Sequence, residues 1–209
     1  MRKLILIVHT SLDGFVAGTK GELDGFDASQ ENLEFVCKIT EEADAALFGR
    51  ISYQLLNDFW PPAKDRPNAT KGEIAYSSWY NNAKKIVISK TLAGEKLYNT
   101  EIITDDISNE IIRIKNQPGK GIMIFGSPSV SRIFMQHNLI DSYWIFVNPT
   151  IFGEGIPLFT TLPNKIKLKL VAAKQFVNGE FALNYVAEKT SESEQSPPPF
   201  IWQSQPSDV

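Results

Sequence analysis

Leu47-Phe48-Gly49-Arg50-Ile51-Ser52-Tyr53 and, further along, Ile124-Phe125-Gly126-Ser127-Pro128-Ser129 decide how this chain folds. In each, an apolar run ends at glycine and a segment of helical character begins. A strand that runs into glycine and then into a helix start is how an α/β protein offers backbone N–H groups to an anion. Two such turns in one chain suit a ligand with two anionic ends, and a dinucleotide is the natural candidate.

Outward from these turns, strands and helices alternate. Residues 3–8 are a continuous apolar run, as in a strand covered on both faces. Residues 11–25 read as glycine-punctuated loop. Ser29 reads as an N-cap, and residues 30–42 place Leu33, Val36 and Cys37 on one helical face. Residues 45–48 form a short buried strand, and 50–58 a helix stopped by Trp60-Pro61-Pro62. Residues 62–75 are polar and read as loop. Strands follow at 85–89 and 101–104. Ile107, Ile111 and Ile114 carry helical spacing over 107–116, which ends before Pro118-Gly119. Residues 121–125 form a strand, 129–137 a helix and 141–148 a strand. Residues 165–176 and 180–187 form a hairpin across Val177-Asn178-Gly179, since Asn-Gly is a strong turn signal. The expected fold is α/β: a mostly parallel central sheet, helices on both faces, and an antiparallel C-terminal hairpin at the edge. No internal repeat is visible.

That domain occupies residues 1–188. Residues 189–209 turn rich in Ser, Pro, Gln and Glu, the composition of a polar tail. Phe200-Ile201-Trp202 is an apolar triplet within it, and either docks in a groove or belongs to a loose tail.

Bulk properties exclude several classes. The chain has 209 residues, 43% hydrophobic and 22% charged, with net charge -3. That suits one globular domain with a full core. Mild acidity provides no field to attract nucleic acid, so anion binding must be local. The single cysteine, Cys37, excludes an internal disulfide and suits a reducing compartment. The apolar run after Met1-Arg2-Lys3 is too short for an export signal, and no run is long enough to cross a bilayer. A cytoplasmic protein without a membrane partner is expected. No Cys/His cluster is present, so no metal is expected.

The turns have their own chemistry. Gly49 permits a sharp turn, and Arg50 offers a planar donor fork suited to phosphate. Ser52 adds a hydroxyl in the first helical turn. A plain helix start with a surface arginine would look the same. Ser89-Lys90-Thr91 ends another strand, where a parallel sheet binds its ligands, although an ordinary polar turn would also read this way.

Four motifs, in order, carry a family resemblance. They are Ser11-Leu12-Asp13-Gly14-Phe15-Val16-Ala17-Gly18 after the first strand, the Gly49 turn, Ser89-Lys90-Thr91, and the Gly126 turn. Asp141 to Pro149 then leads into Phe152-Gly153-Glu154-Gly155. The chain resembles the dihydrofolate reductase-like fold, and within it the reductase domain of the riboflavin-pathway deaminase-reductase and its small stand-alone relatives. The resemblance implies an NADPH-dependent reductase passing a hydride to a C=N or C=O carbon of a small, pterin- or pyrimidine-like substrate. It implies NADPH held by Ala17, Gly18, Gly49, Arg50, Ser52, Ser89, Lys90, Gly126, Ser127, Val130 and Gly153, with Asp13 as the catalytic, substrate-orienting carboxylate. Asp-Gly is also a common turn dipeptide. The relatives are commonly homodimers, so a homodimer is expected. The zinc signature of the deaminase half is absent.

One departure stands out. Riboflavin-type domains usually carry a second glycine where this chain has Ser127, which costs strain if φ there is positive. That residue motivates the alternatives: a non-catalytic nucleotide-binding protein, or a dimeric interaction module on the same fold. The sequence names no proton donor. Glu31 and Glu34 lie on the first helix with no fixed alignment, and His9 and His137 read as structural. Trp60 and Trp79 read as packing or as walls of the substrate cleft.

Overall fold

The computed structural model describes residues 1–26 and 29–188. The Phe200–Trp202 docking segment lies outside the described residues. In chain order the elements are β1 (Leu4–Thr10), β2 (Phe15–Ala17), α1 (Gln30–Thr40), β3 (Ala43–Gly49), α2 (Arg50–Phe59), a 3-10 turn (Ala63–Asp65) and α3 (Lys71–Asn82). They continue with β4 (Lys84–Ile88), β5 (Thr100–Ile103), α4 (Ile107–Lys115), β6 (Gly121–Phe125), α5 (Pro128–Gln136) and β7 (Ser142–Val147). The chain then forms β8 (Ile156–Pro157), β9 (Leu168–Gln175) and β10 (Phe181–Ala187).

Eight strands make one sheet in the order β5-β4-β3-β6-β1-β7-β10-β9. Every pairing from β5 to β7 is parallel. Only β10 on β7 and β9 on β10 are antiparallel. The expected mostly parallel sheet with an antiparallel edge hairpin is therefore present. The hairpin turn also matches, with Gly179 at φ +88 and its N–H donated to Phe176 O at 3.0 Å. β2 and β8 pair separately as a small antiparallel ribbon.

Strand pleating sorts the core onto two faces. Leu4, Leu6 and Val8 of β1 point to one face, with Ile111 and Ile114 of α4 and Phe134 of α5. Ile5 and Ile7 point to the other, with Val36 and Ile39 of α1 and Tyr76 and Tyr80 of α3. Phe48, Phe134, Leu6 and Ile86 are wholly buried, each worth about 1.5–3 kcal/mol relative to exposure. Central strands covered on both sides read as continuous apolar runs, which is why β1, β3 and β6 are legible in the sequence. Ser29 caps α1 as expected, accepting Asn32 N–H at 3.1 Å.

Two stretches differ from the expectation. Residues 71–75, read as loop, open α3. The helix starts with a capping box, in which Thr70 Oγ1 accepts Glu73 N–H and the Glu73 carboxylate accepts Thr70 N–H. Its inner face is Gly72, Tyr76, Ser77 and Tyr80, so it carries little of the aliphatic stripe that marks a helix. A side chain at 72 would lie 3.2 Å from Leu33 of α1, so α1 and α3 approach closely there. The short strand β2 also lies within a stretch read as loop, and its partner β8 is distant in sequence.

Candidate active site

Strand order decides which turns meet. Ser89-Lys90 leaves β4, Gly49-Arg50 leaves β3, Gly126-Ser127 leaves β6, Ser11 to Asp13 leaves β1, and Asn148 to Gly153 leaves β7. These five strands are consecutive and parallel, so all five turns stand in a row on the carboxyl edge. At roughly 4.8 Å per strand the row is about 19 Å long.

The middle of the row is tightest. A methyl group on Gly49 would lie 2.3 Å from Ser127 Oγ and 3.3 Å from Val130 Cγ2. A Cβ on Gly126 would lie 3.9 Å from Ser52 Oγ. The turns at Gly49 and Gly126 therefore abut. Gly126 and Ser127 are both in the left-handed region, at φ +56 and +50. The second glycine of the resembling proteins is thus replaced by a serine at a position that favours glycine. α2 starts at Gly49 and α5 at Ser127, and neither cap makes a side-chain hydrogen bond. Two first turns with uncapped N–H groups thus lie side by side, the arrangement that receives anionic oxygen.

The cationic side chains of the row are exposed. Arg50 donates from Nη1 to Gln54 Oε1 of its own helix at 3.0 Å. Lys90 Nζ lies 3.6 Å from Asp105 Oδ1, with both side chains largely in solvent. Such loose surface contacts contribute little to stability and leave both cations able to turn toward a ligand. Ser89 differs: its hydroxyl accepts Leu92 N–H at 3.2 Å and lies 3.2 Å from Thr91 Oγ1, closing its own turn.

At the other end Asp13 joins two loops. Oδ1 accepts the Ser11 hydroxyl at 2.6 Å and Phe152 N–H at 3.1 Å, and Oδ2 accepts Gly153 N–H at 2.8 Å. The Ser11 hydroxyl, assisted by these two amides, holds the Asp13 carboxyl below the usual aspartate range. β2–β8 pairing sets Ala17 beside Ile156. Gly18 and Phe152 help line a recess of about 260 Å³. A larger cavity of about 600 Å³ borders Lys90 at the opposite end, walled by Asp105, Ile107 and Ile133.

One cluster escaped the sequence reading. Glu180, just before the inner hairpin strand β10, is wholly buried, and its Oε2 accepts Asn32 Nδ2–H at 2.5 Å. Oε1 lies 2.9 Å from His9 Nδ1 at the end of β1. The available signal was parity. Glu180 shares the inward phase of Ala182, so a carboxylate sits at a core position of the hairpin. No helix among the described residues is long and apolar enough to cross a membrane.

Comparisons with known proteins bear on the fold and the family. The protein YyaP of Bacillus subtilis (strain 168), itself uncharacterized, is 32% identical over 189 residues, covering 88% of this chain and 94% of YyaP. The solved structure of a pyrimidine reductase-like protein from Corynebacterium diphtheriae superposes with a TM-score of 0.65 at 17% identity, covering 90% of this chain and 93% of that one. A dihydrofolate reductase from Enterococcus faecalis, solved with NADP(H), superposes with a TM-score of 0.60 at 15% identity, covering 90% and 97%. The fold is accordingly dihydrofolate reductase-like. The model of the RibD C-terminal domain matches residues 2–181, from before the first strand to the first residue of the last. With that span matched, the chain belongs to the RibD C-terminal domain family.

Proposed function

We propose that this protein is an NADPH-dependent reductase, working in the cytoplasm, that transfers a hydride to a C=N or C=O carbon of a small heterocyclic substrate. One observation carries the proposal: two uncapped helix starts abut at Gly49 and Gly126-Ser127, with two successive left-handed residues between strand and helix. The cradle fits a pyrophosphate. At Gly49 a Cβ would collide with its neighbours, and at Gly126 the positive φ favours glycine.

When bound, the reduced nicotinamide supplies the hydride. This chain's residues do the rest. The first-turn N–H groups of α2 and α5 hold the pyrophosphate oxygens. Lys90, at one end of the row, and Arg50, one strand in from it, neutralise a ribose 2′-phosphate. Asp13, Ala17, Gly18 and Gly153 border the other end, where the substrate would lie. Asp13 stays ionised there, fixes the Gly153 loop, and orients the substrate through its remaining lone pairs.

Calorimetric titration tests the cofactor. NADPH should bind more tightly than NADH, and Arg50→Gln should weaken NADPH by about tenfold or more while changing NADH little. Absence of NADPH binding to the wild-type chain would overturn the proposal. A second reading, nucleotide binding without catalysis, is favoured by one observation: Ser127 Oγ fills the space beside Gly49. Loss of reduced-nicotinamide absorbance with a dihydropterin or a vicinal dicarbonyl separates the two. We also propose a homodimer. The outer strand β9 leaves Leu170 and Val171 half exposed on an unpaired edge, and sedimentation velocity reads the state directly.

A further inference from the structure

We propose that His9 is the proton donor of this reduction and that the buried Glu180 is its positioning residue. The inference rests on the reductase reading and adds the group that completes it. A carboxylate taken wholly out of water persists only where a cation or donors hold it. Glu180 is 0% exposed, and Asn32 satisfies one of its oxygens. Its other oxygen, Oε1, lies 2.9 Å from His9 Nδ1 but off the line along which the ring N–H donates, so no aligned hydrogen bond reaches it. A second buried acceptor in the cluster, Asn148 Oδ1, also lacks a donor, while Asn148 Nδ2 lies 3.5 Å from His9 Nδ1. Two under-satisfied acceptors thus lie by one imidazole.

The other charges packed nearby are spent on each other. Glu31 of α1 pairs with Lys174 of β9 at 2.9 Å and also accepts Val177 N–H. Among the described residues, His9 is the one ionisable partner of Glu180. The buried carboxylate beside Nδ1 holds the orientation of the imidazole.

Placement makes that proton useful. His9 lies two residues beyond Ile7, whose carbonyl accepts Gly126 N–H at 3.4 Å. It lies two residues before Ser11, which bonds Asp13. The imidazole therefore stands between the proposed pyrophosphate cradle and the Asp13 loop. It stacks on Phe146 at 4.8 Å, and Phe26 is tilted against it at 6.2 Å. Its side chain is 28% exposed. Nδ1 faces Glu180, and Nε2 makes no hydrogen bond among the described residues.

The alternatives are poorly suited. Asp13 accepts three donors and is held ionised. Glu31 is held ionised by Lys174. The step balances with His9. The hydride adds to the substrate carbon, and the π electrons of the C=N or C=O bond move to nitrogen or oxygen. That atom takes the Nε2 proton. Water reprotonates the exposed imidazole edge, and a bound reduced nicotinamide would supply the two electrons of the hydride.

Two measurements test this. First, nitrogen and proton NMR reads the His9 ring nitrogens at fixed pH in the free protein and in Glu180→Gln. Glu180→Gln should move the Nδ1 resonance; an unmoved resonance overturns the pairing whatever the activity. Second, single-turnover hydride transfer to a dihydropterin or a vicinal dicarbonyl is measured across pH. His9→Gln should slow it by about 100-fold or more, erase the alkaline limb and leave NADPH affinity unchanged. Glu180→Gln should slow transfer by less than His9→Gln does, because it loosens the ring's orientation and leaves the donor in place. A His9→Gln enzyme with the wild-type rate and profile overturns the proton-donor role alone. A wild-type chain that binds no NADPH overturns the reductase reading and, with it, the role.

Discussion

Replacing Gly49 by alanine and Ser127 by glycine, singly and together, probes the contact on which the cradle depends. The added methyl would sit 2.3 Å from Ser127 Oγ, an overlap that a packed site relieves only by shifting, at about 1–3 kcal/mol. Gly49 is also the N-cap of α2, where alanine is worse than glycine by about 1 kcal/mol. Gly49→Ala should therefore destabilise by about 2–4 kcal/mol. Ser127→Gly acts differently. Relief of a left-handed serine is worth about 1 kcal/mol, and the added freedom of the unfolded chain takes back about 0.5–1 kcal/mol. The single variant should lie close to the wild type. In the double variant the new methyl fills the space of the lost hydroxymethyl, and only the 3.3 Å contact with Val130 Cγ2 remains. Most of the clash disappears, leaving a favourable coupling of about 1–2 kcal/mol. Urea unfolding with unchanged m-values reads all four corners of the cycle. Additivity within about 0.5 kcal/mol would mean that the two turns do not touch and would refute the convergence of β3 and β6.

Three further outcomes are expected. Asp13 titrates below its ordinary 3.8. Its depressed value means that its hydrogen bonds are present at neutral pH and are lost as pH falls through that lowered midpoint. The Phe152 and Gly153 amide resonances should report this acidic transition, and Asp13→Asn should abolish it; a midpoint at or above 3.8 would contradict the bridging geometry. Burial pushes Lys85 down to about 8, so between pH 8 and 10 the unfolded chain holds more protons and stability should rise with pH. Lys85→Met should flatten that rise in thermal melts, and an equal slope in both proteins would count against a buried amine. Thr70→Ala removes one half of the α3 capping box and should cost about 1 kcal/mol in urea unfolding, whereas no loss would mean that the helix start is held by packing alone.

The expected and observed elements diverge for definite reasons. β1, β3 and β6 are apolar along most of their length because helices cover both faces, and a continuous run is visible locally. The helices α4 and α5 carry aliphatic stripes. α3 hides its inward face behind glycine, serine and tyrosine, and only Thr70 and Glu73 mark its start. Within the candidate site, Gly49, Ser52, Gly126, Ser127 and Val130 are legible because a strand–glycine–helix junction is a local pattern. The positive φ of Ser127 is a consequence of that junction. Glu180 was not legible as a site residue: a carboxylate after Asn-Gly normally belongs to a solvated turn.

The chain alone determined most strands and helices, α3 and β2 excepted, and which turns present backbone amides, since these follow from side-chain periodicity and from glycine within a few residues. Tertiary structure decided the rest. Placing β3, β6 and β1 side by side brought Gly49 against Ser127, and folding the hairpin onto β7 carried Glu180 under His9. Such meetings are set by strand order and inward parity, which depend on how the whole sheet shares its core, and no local stretch of sequence encodes them.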